Sequence, residues 1–220
     1  AIAALRAEGP YVERIPALAP QTGICLAVPA PPPDVCSTVL LYGQKKDLNA
    51  YLAATPGAPQ RTIEEIVAFN AANLPGGGKY GQAIFEAAAR LDVSPGSADT
   101  LRYLADRAAD LAASRGALDG VYDGPDNIKG TADDFDSILL SANTGVGTPA
   151  EAVYPSVTVP GGFLPPAAPI AEPTPSGVTF SGPAFSEPRL IALAYAFEQA
   201  TKHRLAPASA PPLPSDSVRR

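Results

Sequence analysis

Six aspartates and an asparagine crowd into residues 119–136: Asp119, Asp123, Asp126, Asn127, Asp133, Asp134 and Asp136. Gly124 and Gly130 lie among them and permit tight turns. Calcium takes about six to eight oxygens from flexible, carboxylate-rich loops, and a cation would relieve the repulsion here. A structural Ca2+ on Asp123, Asp126, Asn127, Asp133 and Asp134 is therefore one expectation. The spacing is not that of an EF-hand, since Pro125 falls at the second ligand position and Lys129 lies inside the loop. The other expectation is a solvated acidic turn whose carboxylates accept bonds from their own backbone.

Nucleophilic and basic groups are sparse. His203 is the single histidine, so a Ser-His-Asp triad would depend on it alone, and it reads as a surface residue at a helix end. Lys45, Lys46, Lys79, Lys129 and Lys202 lie in or beside helices and loops without a Ser-rich turn, and read as solvated lysines. A serine without an adjacent base is a poor nucleophile, so no residue of this chain is assigned a catalytic role. Cys25 and Cys36 are too few for a four-thiolate zinc site. They flank a ten-residue Pro-rich loop, either as a disulfide or as two buried thiols. A disulfide together with calcium would lean towards an extracellular setting.

The elements that must position these residues follow from periodicity and breakers. Residues 1–9 read as a helix ended by Gly9, and 11–15 as a strand. Residues 16–35 form a Pro-rich loop. Helices follow at 37–54, capped by Ser37, and from Thr62, where Thr62 and Glu65 fit a capping box. Two more are expected at 79–90 and 98–115. The last would bury a stripe of Leu101, Leu104, Ala108 and Leu111 and stop at Gly116. Strands are expected at 135–140, 154–160 and 177–182, with a Pro-rich loop over 160–175. A helix at 187–203 starts with Ser186 as cap and Pro188 in its first turn. Ser141, Asn143 and Thr144 follow a strand, where ligand sites of α/β sheets lie, and also fit an ordinary polar turn.

The 220-residue chain carries a net charge of −6 and a pI near 4.8, which disfavours a nucleic-acid role. No apolar run approaches the ~20 residues of a membrane-spanning helix. The chain begins at Ala1, contains no Met, and opens with a helix and a strand that lack a preceding strand. A fragment of a longer protein is expected on those grounds.

Several words resemble the carboxyl-terminal part of the amidase signature family. They are Tyr154-Pro155-Ser156-Val157-Thr158-Val159-Pro160-Gly161-Gly162, Gly177-Val178-Thr179-Phe180-Ser181-Gly182, Ser186-Glu187-Pro188-Arg189-Leu190 and Leu193-Ala194-Tyr195-Ala196-Phe197-Glu198-Gln199-Ala200-Thr201. Asp47-Leu48-Asn49-Ala50-Tyr51-Leu52, Ile66-Val67-Ala68-Phe69-Asn70 and Gly81-Gln82-Ala83-Ile84-Phe85-Glu86 extend the match through the middle, in the family's order. The resemblance implies an α/β fold, part of an α/β/α sandwich with a mixed sheet, here with a helix-rich middle segment. It implies hydrolysis of carboxamide C–N bonds through an acyl-enzyme, with no cofactor for catalysis. The family's nucleophilic Ser, cis-Ser and Lys base belong to a Gly/Ser-rich signature in its amino-terminal half, and no such run occurs here.

The expected arrangement is then residues 1–205 as the carboxyl-terminal part of an amidase-like domain and 206–220 as a Pro/Ser-rich tail. The expected partners are the missing amino-terminal half and a small-molecule amide, with no nucleic acid and no membrane. In the family the stretch aligned with Ser141, Asn143 and Thr144 borders the substrate pocket. The alternative is a non-catalytic, calcium-stabilised binding or structural domain.

Overall fold

Glycine and proline set most of the element boundaries. The computed structural model describes residues 2–7, 11–13, 15, 23–26, 36–73, 78–167 and 173–206. In chain order the elements are α1 (Ile2–Ala7), α2 (Val39–Ala54), α3 (Ile63–Asn73), α4 (Ala83–Ala89), α5 (Ala98–Tyr122), β1 (Ile138–Ser141), α6 (Gly147–Ala152), β2 (Ser156–Leu164), β3 (Thr174–Ser181) and α7 (Glu187–Thr201). The chain divides into two units, one of residues 20–116 and one of residues 1–19 with 117–220. Among the described residues no helix is long and apolar enough to cross a membrane.

The helical unit is built on Leu41, Tyr42, Ile63, Ala87, Ala88 and Leu91, with Leu48, Phe85 and Tyr103 packed against them. The start of α2 explains which face of α5 turns inward. Thr38 precedes α2 without a side-chain cap of its own. Asp106 of α5 accepts instead from the Thr38 backbone N–H and hydroxyl, both at 2.8 Å. Asp110 accepts from the Ser37 hydroxyl at 2.6 Å, and that oxygen also accepts from the Val39 N–H. Carboxylates suit a helix amino terminus, where unpaired N–H groups and the dipole are positive. The inward positions of this part of α5 are therefore Asp106 and Ser114. The expected stripe is turned out, with Leu101 and Leu104 at 60% and 55% exposure.

Other boundaries moved for local reasons. Gly81 has φ +70°, outside the helical range, so α4 starts after it. Gly116 does not end α5: a mid-helix Gly costs about 1 kcal/mol, less than the ~2 kcal/mol returned by burying one Leu. The continued helix buries both Leu118 and Tyr122. Thr62 accepts the Glu65 N–H as expected, while Glu65 reaches back to the Arg61 N–H at 2.6 Å. Lys45, expected in solvent, is mostly buried: it donates to the Ala89 and Leu91 carbonyls and pairs with Glu64 at 2.6 Å. Cys25 and Cys36 are joined in a disulfide. Most of the Pro-rich loop between them lies outside the described residues.

The second unit is a three-layer sandwich in miniature. Its strands pair antiparallel in the order β1-β3-β2. Val178 and Phe180 of β3 join Val159 of β2 beneath Leu190, Ala194 and Phe197 of α7. Thr179 and Ser181 alternate to the opposite face, where Leu118, Tyr122, Ile138 and Ala152 cluster. β2 and β3 run further than expected, into the loop foreseen at 160–175, part of which lies outside the described residues. Pro160 is tolerated because β2 is an outer strand of the described sheet. A register shift between Pro160 and Gly162 leaves Gly161 unpaired. Residues 11–13 and 15 form no strand among the described residues. α7 stops at Thr201, because Lys202 turns left-handed (φ +47°). The described part of the chain thus has the expected α/β character with a helix-rich middle.

Candidate functional site

Beyond β1 the chain reverses sharply. Ala142 takes φ +48°, and the Thr144 N–H donates to the Ser141 carbonyl at 2.9 Å. The turn leads into α6 and opens a cavity of about 460 Å3 on the α6 side of the sheet. Ala142, Asn143 and Val146 form one wall, Ala150 and Tyr154 a second, and Ser156, Thr158, Gly177 and Thr179 the floor. Of the three residues expected to bind substrate, Asn143 lines this cavity. Ser141 is the exposed last residue of β1, and Thr144 belongs to the turn; neither is in the lining.

The floor is fixed by side-chain hydrogen bonds. Thr158 and Thr179 face each other in the β2–β3 register, with hydroxyls 2.8 Å apart. The Thr179 hydroxyl also donates to the Ala142 carbonyl at 2.8 Å, and the Ala142 N–H donates to Gly177 at 2.9 Å. A Cβ on Gly177 would come within 2.8 Å of the Thr158 methyl, so the crossing requires glycine. Tyr154 is anchored through its hydroxyl to Asp119 at 2.5 Å. Beneath it the Tyr122 hydroxyl donates to Ser181 at 3.4 Å, and burial pushes the Tyr122 phenol up to about 12. Tyr154, Thr158 and Thr179 were not singled out from the sequence. The shared Val-Thr pair in Val157-Thr158 and Val178-Thr179 was the available signal.

Chemically this cavity can hold a ligand. It offers one carboxamide, hydroxyls and an apolar wall. Ser156 adds a hydroxyl to the lining, but among the described residues no Lys or His lines the cavity beside it. Activation of Ser for attack requires such a base.

The acidic loop is organised differently from a cation nest. The Asp133 carboxylate accepts from the Asp126 N–H at 3.1 Å and the Thr131 hydroxyl at 2.7 Å. The Thr131 hydroxyl bond chiefly holds Asp133 below the usual carboxylate range. Asp126 accepts from the Ile128 N–H, and Asp134 from the N–H groups of Gly130 and Thr131. Asp123 and Asn127 enter through their backbones, donating to Asp119 and Gly124, and Asn127 sits at φ +58°. Among the described residues no three His, Cys, Asp or Glu side chains gather as a metal cluster. The five residues expected to hold Ca2+ thus form hydrogen-bonded turns.

Comparison with known proteins shows a likeness to amidases. A probable amidase of Arabidopsis thaliana is 30% identical over 172 residues, which cover 76% of this chain and 30% of the plant protein. The chain is therefore similar to amidases over about three quarters of its length. No family model matches it. A Bacillus anthracis amidase family protein superposes with a TM-score of 0.68 over 93% of this chain and 34% of its own length, at 24% identity, which speaks to fold. A native peptide amidase from Stenotrophomonas maltophilia gives 0.54 over 76% of this chain and 33% of its own, at 29% identity. The chain therefore spans about a third of the length of the amidases it matches.

Proposed function

We propose that this chain is the carboxyl-terminal portion of an amidase-signature hydrolase that cleaves carboxamide C–N bonds. In this reading the Ser nucleophile, the cis-Ser and the Lys base come from an amino-terminal portion outside the sequence in hand. The Ser oxygen attacks the amide carbon, the C–N bond breaks, and the amine leaves with a proton. Water then hydrolyses the ester and restores the Ser. This chain's part is binding: Asn143 donates and accepts hydrogen bonds to the amide substrate, the threonine floor, whose protons are used within the fold, accepts them, and Val146, Ala150 and Tyr154 cover its apolar part.

The observation that carries the reading is the amidase likeness across 76% of the chain. The cavity beyond β1 supports it, since it offers the Asn143 carboxamide and hydroxyls beside an apolar wall. The test uses a protein that joins this sequence to an amino-terminal portion bearing the Ser/Lys signature. N143A should raise KM for a small amide about tenfold with kcat little changed, as expected on losing one buried hydrogen bond to substrate. An unchanged KM would remove Asn143 from the substrate wall.

A further inference from the structure

A second cavity, of about 320 Å3, opens at the far end of α7, where the chain leaves the helix. Phe163 and Pro175 provide apolar walls, the backbone of Gly162 closes one side, and Ser176, His203 and Arg204 supply its polar groups. Among the described residues no acidic side chain lines it. The His203 ring meets Phe197 edge-on at 6.2 Å, which fixes its plane. Its Nδ1 is buried, and among the described residues it has no hydrogen-bond partner. An ideal Cβ on Gly162 would lie 3.8 Å from that nitrogen, so the Gly162 backbone runs alongside the ring. Arg204 is exposed and makes no ion pair among the described residues.

A protonated imidazole nitrogen beside a guanidinium that has no ion pair among the described residues can be served by one shared acceptor. A carboxylate is such an acceptor: one oxygen takes an imidazole N–H, and the pair matches the planar guanidinium fork. Ligand pockets usually span about 300–1,000 Å3, so the volume limits the ligand to a small molecule. The Phe163 and Pro175 walls favour one that carries a flat apolar group.

We propose that the His203–Arg204 cavity binds small organic carboxylates with an aromatic or short aliphatic group, independently of the amide-binding cavity. Phenylacetate is the probe. His203 is the only histidine of the chain, so its imidazole gives an NMR signal free of overlap from other histidines. On the full 220-residue protein, phenylacetate should move that signal saturably at millimolar concentration. The neutral phenylacetamide and inorganic phosphate should leave it in place. R204A should weaken phenylacetate at least about tenfold, since the guanidinium fork supplies half of the recognition. Absence of a saturable shift would overturn the proposal. So would an equal response to phenylacetamide or phosphate, or an R204A protein that binds as wild type. Should R204A melt early, the ligand series on the wild-type protein decides alone.

Discussion

Asp106 accepts three hydrogen bonds while only 3% exposed. Two come from Thr38, and the third is from the Arg102 Nε at 2.6 Å, the same guanidinium that reaches the Cys36 carbonyl at 3.0 Å. One carboxylate thus caps α2 and, through Arg102, holds the backbone at the disulfide. Removing it takes a short charge pair from the largely buried Arg102 and leaves the Thr38 N–H at the helix end unpaired. D106A should therefore lower unfolding free energy by about 3–5 kcal/mol in denaturant titration. A cost below about 1 kcal/mol would mean that water replaces the carboxylate freely. Tyr122 makes a second residue-scale prediction. Its phenol ionises less readily in the fold than in the unfolded chain, so its contribution is present below pH 10 and is lost as pH rises through about 12. Ultraviolet titration should show one tyrosine ionising late, and Y122F should remove that late step.

Among the elements, the disulfide and the Lys45–Glu64 pair each hold a junction of the helical unit. The bridge closes a loop with a sequence separation of 11, worth about 2–3 kcal/mol if its effect lies mainly on the unfolded chain. Reduction or C36S should lower the melting midpoint, and an unchanged midpoint would place the loop outside the cooperative unit. Lys45 closes the carboxyl end of α4 by donating to the Ala89 and Leu91 carbonyls. Burial is the largest single influence on Glu64 and would raise it, but the hydrogen bond and charge of Lys45, its own backbone N–H and the Thr62 hydroxyl together outweigh burial and leave the carboxyl below its usual 4.5. A carboxyl lowered in the fold stabilises above its unfolded pKa, and that contribution fades as pH falls through the folded pKa. The gap in melting midpoint between wild type and E64Q should therefore narrow as pH drops below 4.5. Element types were legible because breakers and caps act locally, as at Thr62 and Pro188. The inward face of α5 was not: it is decided by N–H groups at the start of α2, 68 residues away, which draw Asp106 inward. The cavity floor was hidden for a similar reason, since Thr158 and Thr179 meet only through strand register.

At the scale of the whole molecule, the resemblance was carried by ordered words that map onto the sheet and α7, where both faces of β3 are buried. Those words specify packing, so they disclosed the fold and the likeness to amidases better than the cavity. The acidic loop illustrates the converse. Its composition suggested a cation, and what the fold adds is that Asp126, Asp133 and Asp134 accept hydrogen bonds from nearby N–H and hydroxyl groups, which composition does not disclose. The outward faces of Leu101, Leu104, Ile191 and Tyr195, each at least 55% exposed, suit a chain that packs against further protein. The most direct test is amide turnover by the purified 220-residue chain. The account predicts no hydrolysis of a simple arylamide by this chain alone, and hydrolysis by a protein that adds the Ser/Lys portion to it. Turnover that stays with the isolated chain through repurification would contradict the account.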